Sequence, residues 1–293
     1  MKRLLLPTPK EFDFHINLQF LKRSPNERLH TVEDETVTKL LWVDGQPVLF
    51  TIHAGKEKLI VTFINALPSP QGQQQVREFV MEWFDLETNL KPFYALASAD
   101  PLLKPLVKKF FGYRIIGQPD LFESITWAII GQQINLSFAY RLKERFVLHF
   151  GEKEKWDEKE YYLFPRPSTV VSLRDEDLLA LQFSRQKARY ILTVAEAFAS
   201  GSISKEKLRS LPLEEAKEML MNVKGIGNWT ANYALMKTFR YPDAFPLEDA
   251  GLHNAIKNLK GMDRKPTLEE VKKIFKKYKG WEAYATLYLW KSL

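Results

Sequence analysis

The chain has 293 residues, no cysteine and a formal net charge of +7. The lack of cysteine excludes disulfides, thiolate nucleophiles and cysteine-ligated zinc or iron–sulfur centres, and the five histidines lack the spacing of a helical metal site. The excess of positive charge suits a polyanionic partner, although a solvated basic surface explains it equally well.

The first residues do not read as a membrane or export segment. Charged residues break every apolar run well before the roughly 18 residues that a membrane-spanning helix requires. Pro7 and Pro9 interrupt the short leucine run near the N-terminus before it could act as a secretory signal. We therefore expect a cytoplasmic protein without membrane attachment, and we take a monomer as the default.

The first third of the chain predicts a sheet. Residues 30–66 alternate β-branched or aromatic residues with polar ones, and Asp44-Gly45 and Ala54-Gly55 are turn signals. Residues 73–86 place their apolar side chains on one helical face, which we expect to cover the sheet. Residues 1–96 are therefore predicted to form an α+β domain with an antiparallel sheet.

The rest of the chain is predicted to be mostly α-helical. Residues 121–130 are apolar on most sides, so they predict a buried helix that Gly131 ends. A turn with Gln132 and Gln133 then leads to an amphipathic helix, and residues 151–167 read as an irregular connection. We predict two helical domains, one of residues 97–119 with 243–293 and one of residues 120–242.

Two predicted helices, over residues 213–223 and 229–237, are joined by the very short hairpin Lys224-Gly225-Ile226-Gly227. The two glycines suit a turn with unusual backbone angles, and Ile226 can plug back between the helices. Such a turn exposes backbone amides at a helix start, where a phosphate binds well. A glycine cap between two ordinary helices explains the same short pattern.

The segment after this hairpin, "RYPDAFPLEDAGLH", carries Asp249 near its end. The hairpin followed by this aspartate resembles the helix-hairpin-helix DNA glycosylase superfamily, and "GIGNWTANYALM" is most similar to its DNA-3-methyladenine glycosylase II branch. The resemblance implies that Asp249 is the catalytic carboxylate. Such a group favours the positive charge that builds on the sugar, and it can orient the attacking water. Capping of the next helix is the structural alternative, and both roles can coexist.

The resemblance also implies hydrolysis without strand cleavage. Branches that cut the strand carry a lysine two residues after the second hairpin glycine, where this chain has Trp229. Lys237, two turns further along the helix, is expected to point elsewhere. Two alternatives stay open: a glycosylase for oxidised or mismatched bases with lyase activity through a displaced lysine, and a non-catalytic DNA-binding protein.

Aromatic residues supply the predicted base pocket, because a base must be flipped out of the duplex to react. Trp229 and Tyr233 share a helix face and could form a wall that attracts cationic alkylated purines, or they could simply pack the hairpin. The resemblance adds Phe20, Trp281 and Tyr284 as pocket candidates, each of which could equally belong to the core.

DNA contacts are implied for two turns. Gln133 matches the superfamily's wedge position, which fills the gap left by the flipped base, with Gln132 beside it; a solvated turn is the alternative. In the hairpin the expected contacts are Lys224, Gly225, Ile226, Gly227 and Thr230. The carbonyls of Val223 and Ile226 could hold a monovalent cation, and no cofactor is otherwise required.

The predicted activity is excision of alkylated bases such as 3-methyladenine from duplex DNA in base excision repair.

Overall fold

The computed structural model describes residues 3–293, and it begins with a five-stranded antiparallel sheet in the order β1-β5-β4-β3-β2. Helix α1, Phe14–Leu21, follows the first strand. The strands are β1 Arg3–Pro7, β2 His30–Glu33, β3 Thr36–Val43, β4 Gln46–Gly55 and β5 Lys58–Phe63.

The turns of this sheet show where the sequence prediction succeeds. Val43 pairs with Gln46 across the two-residue turn Asp44-Gly45, as predicted, and both turn residues have positive φ. The second predicted turn is wrong, because Ala54 and Gly55 still belong to β4 and the chain reverses after them. Edge strand β1 was not predicted.

One face of the sheet is covered by α2, Pro70–Trp83, which begins slightly earlier than predicted because the Ser69 hydroxyl accepts a hydrogen bond from the Gly72 amide. Val76 and Val80 of this helix are fully buried in a hydrophobic core with residues of the sheet. Burial of this apolar stripe stabilises the α+β domain, in which each element alone would be marginal.

The remainder is mostly helical and forms a second, larger core. A short hairpin of strands β6 and β7 interrupts this core, in a segment that was predicted to be an irregular connection. The sequence did not indicate these strands because their exposed, charged residues lack the usual apolar alternation. The elements in order are α3 Lys91–Ala99, α4 Lys104–Lys109, α5 Leu121–Gly131, α6 Leu136–Phe150, β6 Lys153–Trp156, β7 Lys159–Tyr162, α7 Pro167–Val170, α8 Asp175–Leu179, α9 Arg185–Ala199, α10 Lys205–Arg209, α11 Leu213–Met221, α12 Asn228–Phe239, α13 Ala250–Lys260, α14 Leu268–Phe275 and α15 Glu282–Trp290.

This arrangement confirms the predicted fold class, a sheet domain followed by a mostly α-helical core. The domain boundary expected at residue 96 lies inside α3, whose Phe93 and Ala97 pack in the helical core. Buried Arg114 ties the two parts together by donating to the backbone carbonyls of Glu11 and Thr88. Within residues 3–293, no helix is long and apolar enough to cross a membrane.

Helices α5 and α12 position the candidate site. Every residue of α5 from Leu121 to Ile130 except Glu123 is buried, and the helix packs against both α9 and α12. The end of α5 and the start of α12 therefore lie on the same part of the surface, where the Gln132 side chain bridges them.

Candidate active site

Asp249 has a partly exposed carboxylate that is held by three donors. Its Oδ1 accepts hydrogen bonds from the Leu252 amide at 2.7 Å and from the indole Nε1 of Trp290 at 2.7 Å. Its Oδ2 accepts one from Trp229 Nε1 at 3.1 Å. The residue is thus the N-cap of α13, and two indoles fix its orientation without neutralising its charge.

The loop before α13 is docked on the first turn of α12. The Glu248 carboxylate accepts from the Asn228 side-chain amide at 2.8 Å, next to the contact between Asp249 and Trp229. The side chain of Asn232 accepts from the Phe245 amide at 3.0 Å. The carboxylate of Asp249 is therefore fixed relative to the hairpin that precedes α12.

The hairpin requires glycine at one position, Gly225, for its backbone conformation, not at the two positions that were predicted. Gly225 has a φ of +101°, and a Cβ added there would lie 2.5 Å from the ring of Tyr190. Gly227 has an extended φ of −88°, and a Cβ there would meet nothing within 4 Å. Ile226 is buried between the helices as expected, and its amide donates to the Val223 carbonyl at 3.1 Å.

The start of α12 can bind an anion. In the described part of the chain, no protein group accepts from the backbone amides of Gly227, Asn228 or Trp229, and Gly227 provides no capping side chain. Exposed Lys224 precedes them and forms no ion pair with any residue of 3–293. Free amides at a positive helix end, beside a cation, have the chemistry of a phosphate site.

The turn after α5 presents Gln133, which is exposed and has a left-handed φ of +57°. Gln132 instead faces the protein and donates to the Thr230 hydroxyl at 3.1 Å. Thr230, one of the predicted DNA contacts, is buried, so its hydroxyl faces Gln132 and not the surface. The hydrogen bond between Gln132 and Thr230 joins the turn after α5 to the first turn of α12.

A lysine that the sequence did not reveal fixes the same turn. The Lys187 ammonium, on α9, donates to the carbonyls of Ile129 at 3.0 Å, Ile130 at 2.6 Å and Gln132 at 2.6 Å. Burial lowers the pKa of Lys187 to about 8. The Ile129 carbonyl also accepts from the Gln132 amide, whereas within residues 3–293 those of Ile130 and Gln132 accept from Lys187 alone, so Lys187 holds the turn that presents Gln133.

Trp229 and Tyr233, the predicted aromatic wall, lie one turn apart on α12. Their rings stack on each other, with centroids 5.3 Å apart, and the Tyr233 hydroxyl accepts from Trp127 Nε1 at 3.0 Å. Only Tyr233 of the pair lines a cavity of about 50 Å³ where α1, α5, α6 and α12 meet. The cavity is also lined by Phe20, Arg23, His30, Lys39, Trp83, Glu123, Trp127, Tyr140, Lys143 and Lys237, among others.

Two cations flank the ring of Phe20 in this cavity. The Arg23 guanidinium carbon lies 3.8 Å from the ring centroid, and Lys237 Nζ lies 4.7 Å from it. Lys237 is buried, lines the cavity and donates to the Ile116 carbonyl, two turns along α12 from the contact between Trp229 and Asp249. Burial and the charge of Arg23 hold its pKa well below the usual range of a lysine.

The remaining two aromatic candidates belong to the core. Tyr284 is fully buried and its hydroxyl donates to Asp85, while Trp281 packs on Phe93 at 5.8 Å between centroids. Neither lines the cavity. This corrects their assignment to the pocket, and the residue of this C-terminal segment that reaches Asp249 is Trp290, for which sequence spacing offered no signal.

Residues 126–280 match the family described as HhH-GPD superfamily base excision DNA repair protein, and residues 8–125 match 8-oxoguanine DNA glycosylase, N-terminal domain. A DNA-3-methyladenine glycosylase of Bacillus subtilis (strain 168) is 41% identical over 99% of this chain and 97% of its own length. A solved 3-methyladenine DNA-glycosylase from Archaeoglobus fulgidus is 26% identical, with a TM-score of 0.84 over 99% of this chain and 97% of that chain.

A third relative was solved with nucleic acid bound. It is a Schizosaccharomyces pombe 3-methyladenine DNA glycosylase in complex with abasic DNA, 28% identical over 67% of this chain and 93% of that chain, with a TM-score of 0.58. These matches confirm the resemblance drawn from the hairpin and the aspartate that follows it. The chain belongs to the HhH-GPD superfamily of base excision DNA repair proteins.

Proposed function

We propose that this protein is a monofunctional DNA glycosylase that flips alkylated bases such as 3-methyladenine out of duplex DNA and hydrolyses their bond to the sugar. The observation that carries the proposal is the position of Asp249. Its carboxylate is partly exposed, is oriented by the indoles of Trp229 and Trp290, and lies next to the open amides at the start of α12.

The chemistry follows from a lone pair of this carboxylate that accepts no hydrogen bond. Oδ1 accepts two hydrogen bonds and Oδ2 only one, so a lone pair of Oδ2 is left for substrate or water. As the base departs, positive charge grows on the sugar, and a fixed negative charge beside it stabilises this state more than the intact nucleotide. The same oxygen can orient water for attack.

Docking on DNA would use the two turns that meet beside Asp249. The amides of residues 227–229 and Lys224 would bind a backbone phosphate, which fixes the duplex without reading its sequence. Exposed Gln133 would enter the stack where the base has left. Lys187 and Gln132 would keep that turn in place while the DNA bends against it.

The flipped base would stack between Phe20 and Tyr233. The cavity of about 50 Å³ between them admits about one or two waters, whereas small-molecule sites enclose about 300 Å³ or more. It must therefore widen to take a base. Exposed Arg23, which lies on the ring of Phe20 and donates to the Tyr140 hydroxyl, is the side chain whose displacement opens it most simply.

A glycosylase with lyase activity on oxidised bases is the second candidate. Two observations favour it: the match of residues 8–125 to the N-terminal domain of 8-oxoguanine glycosylases, and the buried amine of Lys237 in the cavity. Against it, Lys237 follows Trp229 by eight residues on one helix, a rise of about 12 Å away from the level of Asp249. Borohydride should trap no adduct with damaged DNA; a trapped adduct lost in Lys237→Met would establish the lyase.

The proposed function is tested by release of methylated bases from alkylated duplex DNA. The wild type should release 3-methyladenine, and Asp249→Asn, which keeps a capping side chain, should not. If both proteins bind abasic DNA and neither releases a base, the protein only binds DNA. Excision of an oxidised base in preference to an alkylated one would move the assignment to the second candidate.

We further propose that hydrolysis needs no cofactor and that the enzyme acts as a monomer, because one chain supplies the three groups that hold Asp249. The match to a family of DNA repair proteins supports a cytoplasmic location, where the DNA would be. The carbonyls of Val223 and Ile226 are candidate ligands for a monovalent cation at the hairpin. Their chemistry fits, since a carbonyl has two lone pairs and that of Val223 accepts one backbone hydrogen bond. Such a cation would help to bind a phosphate.

A further inference from the structure

Three side chains of the site lie on one face of helix α12, one turn apart. Trp229 holds the Asp249 carboxylate, Tyr233 lines the cavity one turn later, and Lys237 lines it a further turn on. Residues at this spacing lie above one another, each about 6 Å further along the axis. A base stacked on Tyr233 with its sugar at Asp249 would therefore turn its far edge toward Lys237.

Lys237 has unused hydrogen-bonding capacity in the cavity. Its side chain is 3% exposed, and within residues 3–293 its Nζ donates to one acceptor, the Ile116 carbonyl. A lysine amine offers up to three donors. No carboxylate pairs with it among the described residues, and the charge of Arg23 disfavours a positive charge on it. A buried donor without an acceptor is costly, so a ligand that supplies one gains by binding.

We propose that Lys237 is a specificity-determining residue that donates a hydrogen bond to the far edge of the flipped base. This inference rests on the proposed function. The C6 substituent lies on that edge of a purine, and it is an acceptor oxygen in guanine and a donor amino group in adenine. Lys237 therefore favours purines with a C6 oxygen, such as 7-methylguanine and hypoxanthine, over 3-methyladenine.

The environment of Lys237 is compatible with cationic and neutral bases. Burial and the charge of Arg23 lower the pKa of the Lys237 amine and so disfavour its charged form, and a neutral amine would still offer an N–H to an oxygen. A neutral amine does not repel the positive ring of 7-methylguanine. Phe20, whose ring centroid lies 4.7 Å from the amine, offers its face to the same base.

The test compares Lys237→Met with the wild type in single-turnover excision from three duplexes, containing hypoxanthine, 7-methylguanine or 3-methyladenine. Methionine keeps the length of the side chain and removes the donor. Excision of the two bases with a C6 oxygen should fall about tenfold or more relative to 3-methyladenine, since a hydrogen bond in the transition state is lost. Lys237→Gln, which keeps an N–H donor, should restore part of that preference.

The outcomes separate this inference from the proposed function. An equal loss on all three bases, or no loss on any, would overturn the role of Lys237 and leave the glycosylase intact. If the wild type releases none of the three bases, the proposed function fails and the role of Lys237 fails with it. Should Lys237→Met not fold, Lys237→Leu carries the same expectation.

Discussion

The hairpin glycines provide a matched pair of substitutions whose effects should differ strongly. In Gly225→Ala, alanine must adopt a backbone φ of +101°, and its Cβ would lie 2.5 Å from the Tyr190 ring. The backbone strain costs about 1–3 kcal/mol and the overlap with a packed ring a further 1–3 kcal/mol or so. Gly227→Ala has neither penalty, because its φ is −88° and its Cβ meets nothing within 4 Å.

We therefore expect Gly225→Ala to lower the free energy of unfolding by about 2–6 kcal/mol, a large part of the 5–15 kcal/mol typical of a domain. Gly227→Ala should change it by less than about 1 kcal/mol, because alanine is a poorer N-cap than glycine but also restricts the unfolded chain. Urea denaturation followed by far-UV circular dichroism measures both. Equal losses for the two variants, or an unaffected Gly225→Ala, would refute the assigned hairpin geometry.

Two other side chains give further predictions. Trp290→Phe keeps an aromatic ring but removes the 2.7 Å hydrogen bond to Asp249. Since a hydrogen bond to a charged group contributes about 1.5–3 kcal/mol, the single-turnover excision rate should fall at least about tenfold while the protein still folds. A rate within about twofold of the wild type would contradict this. Lys187, with a pKa of about 8 when folded, regains an ordinary value near 10.4 when unfolded. The unfolded chain then binds more protons between these values, so the free energy of unfolding should rise with pH there, and denaturation of Lys187→Met across that window should lack this rise.

Local pattern predicted several of the elements. Periodicity and turn residues predicted α5, α11 and α12 and the turn at Asp44-Gly45, because each depends on contacts within a few residues. The hairpin and its following aspartate led to the correct family because their spacing along the chain is short.

What the sequence missed depends on contacts between distant segments. Trp290 reaches Asp249 across 41 residues, and Lys187 reaches the end of α5 across more than 50, so no local spacing announces either contact. In α15 Tyr284 and Tyr288 are fully buried and only Trp290 reaches Asp249, which the resemblance that pointed to Tyr284 did not indicate. The place of Lys237 in the cavity beside Tyr233 likewise depends on segments that are far away in the chain.

The central claim is that the hydrolysis depends on the Asp249 carboxylate, whereas the binding of DNA does not. The most direct measurement is single-turnover release of 3-methyladenine by the wild type and by Asp249→Asn, with the affinity of each for abasic duplex DNA measured in parallel. We predict unchanged affinity and a loss of release by several orders of magnitude in the variant. Comparable release by both proteins, at equal affinity, would contradict the assignment.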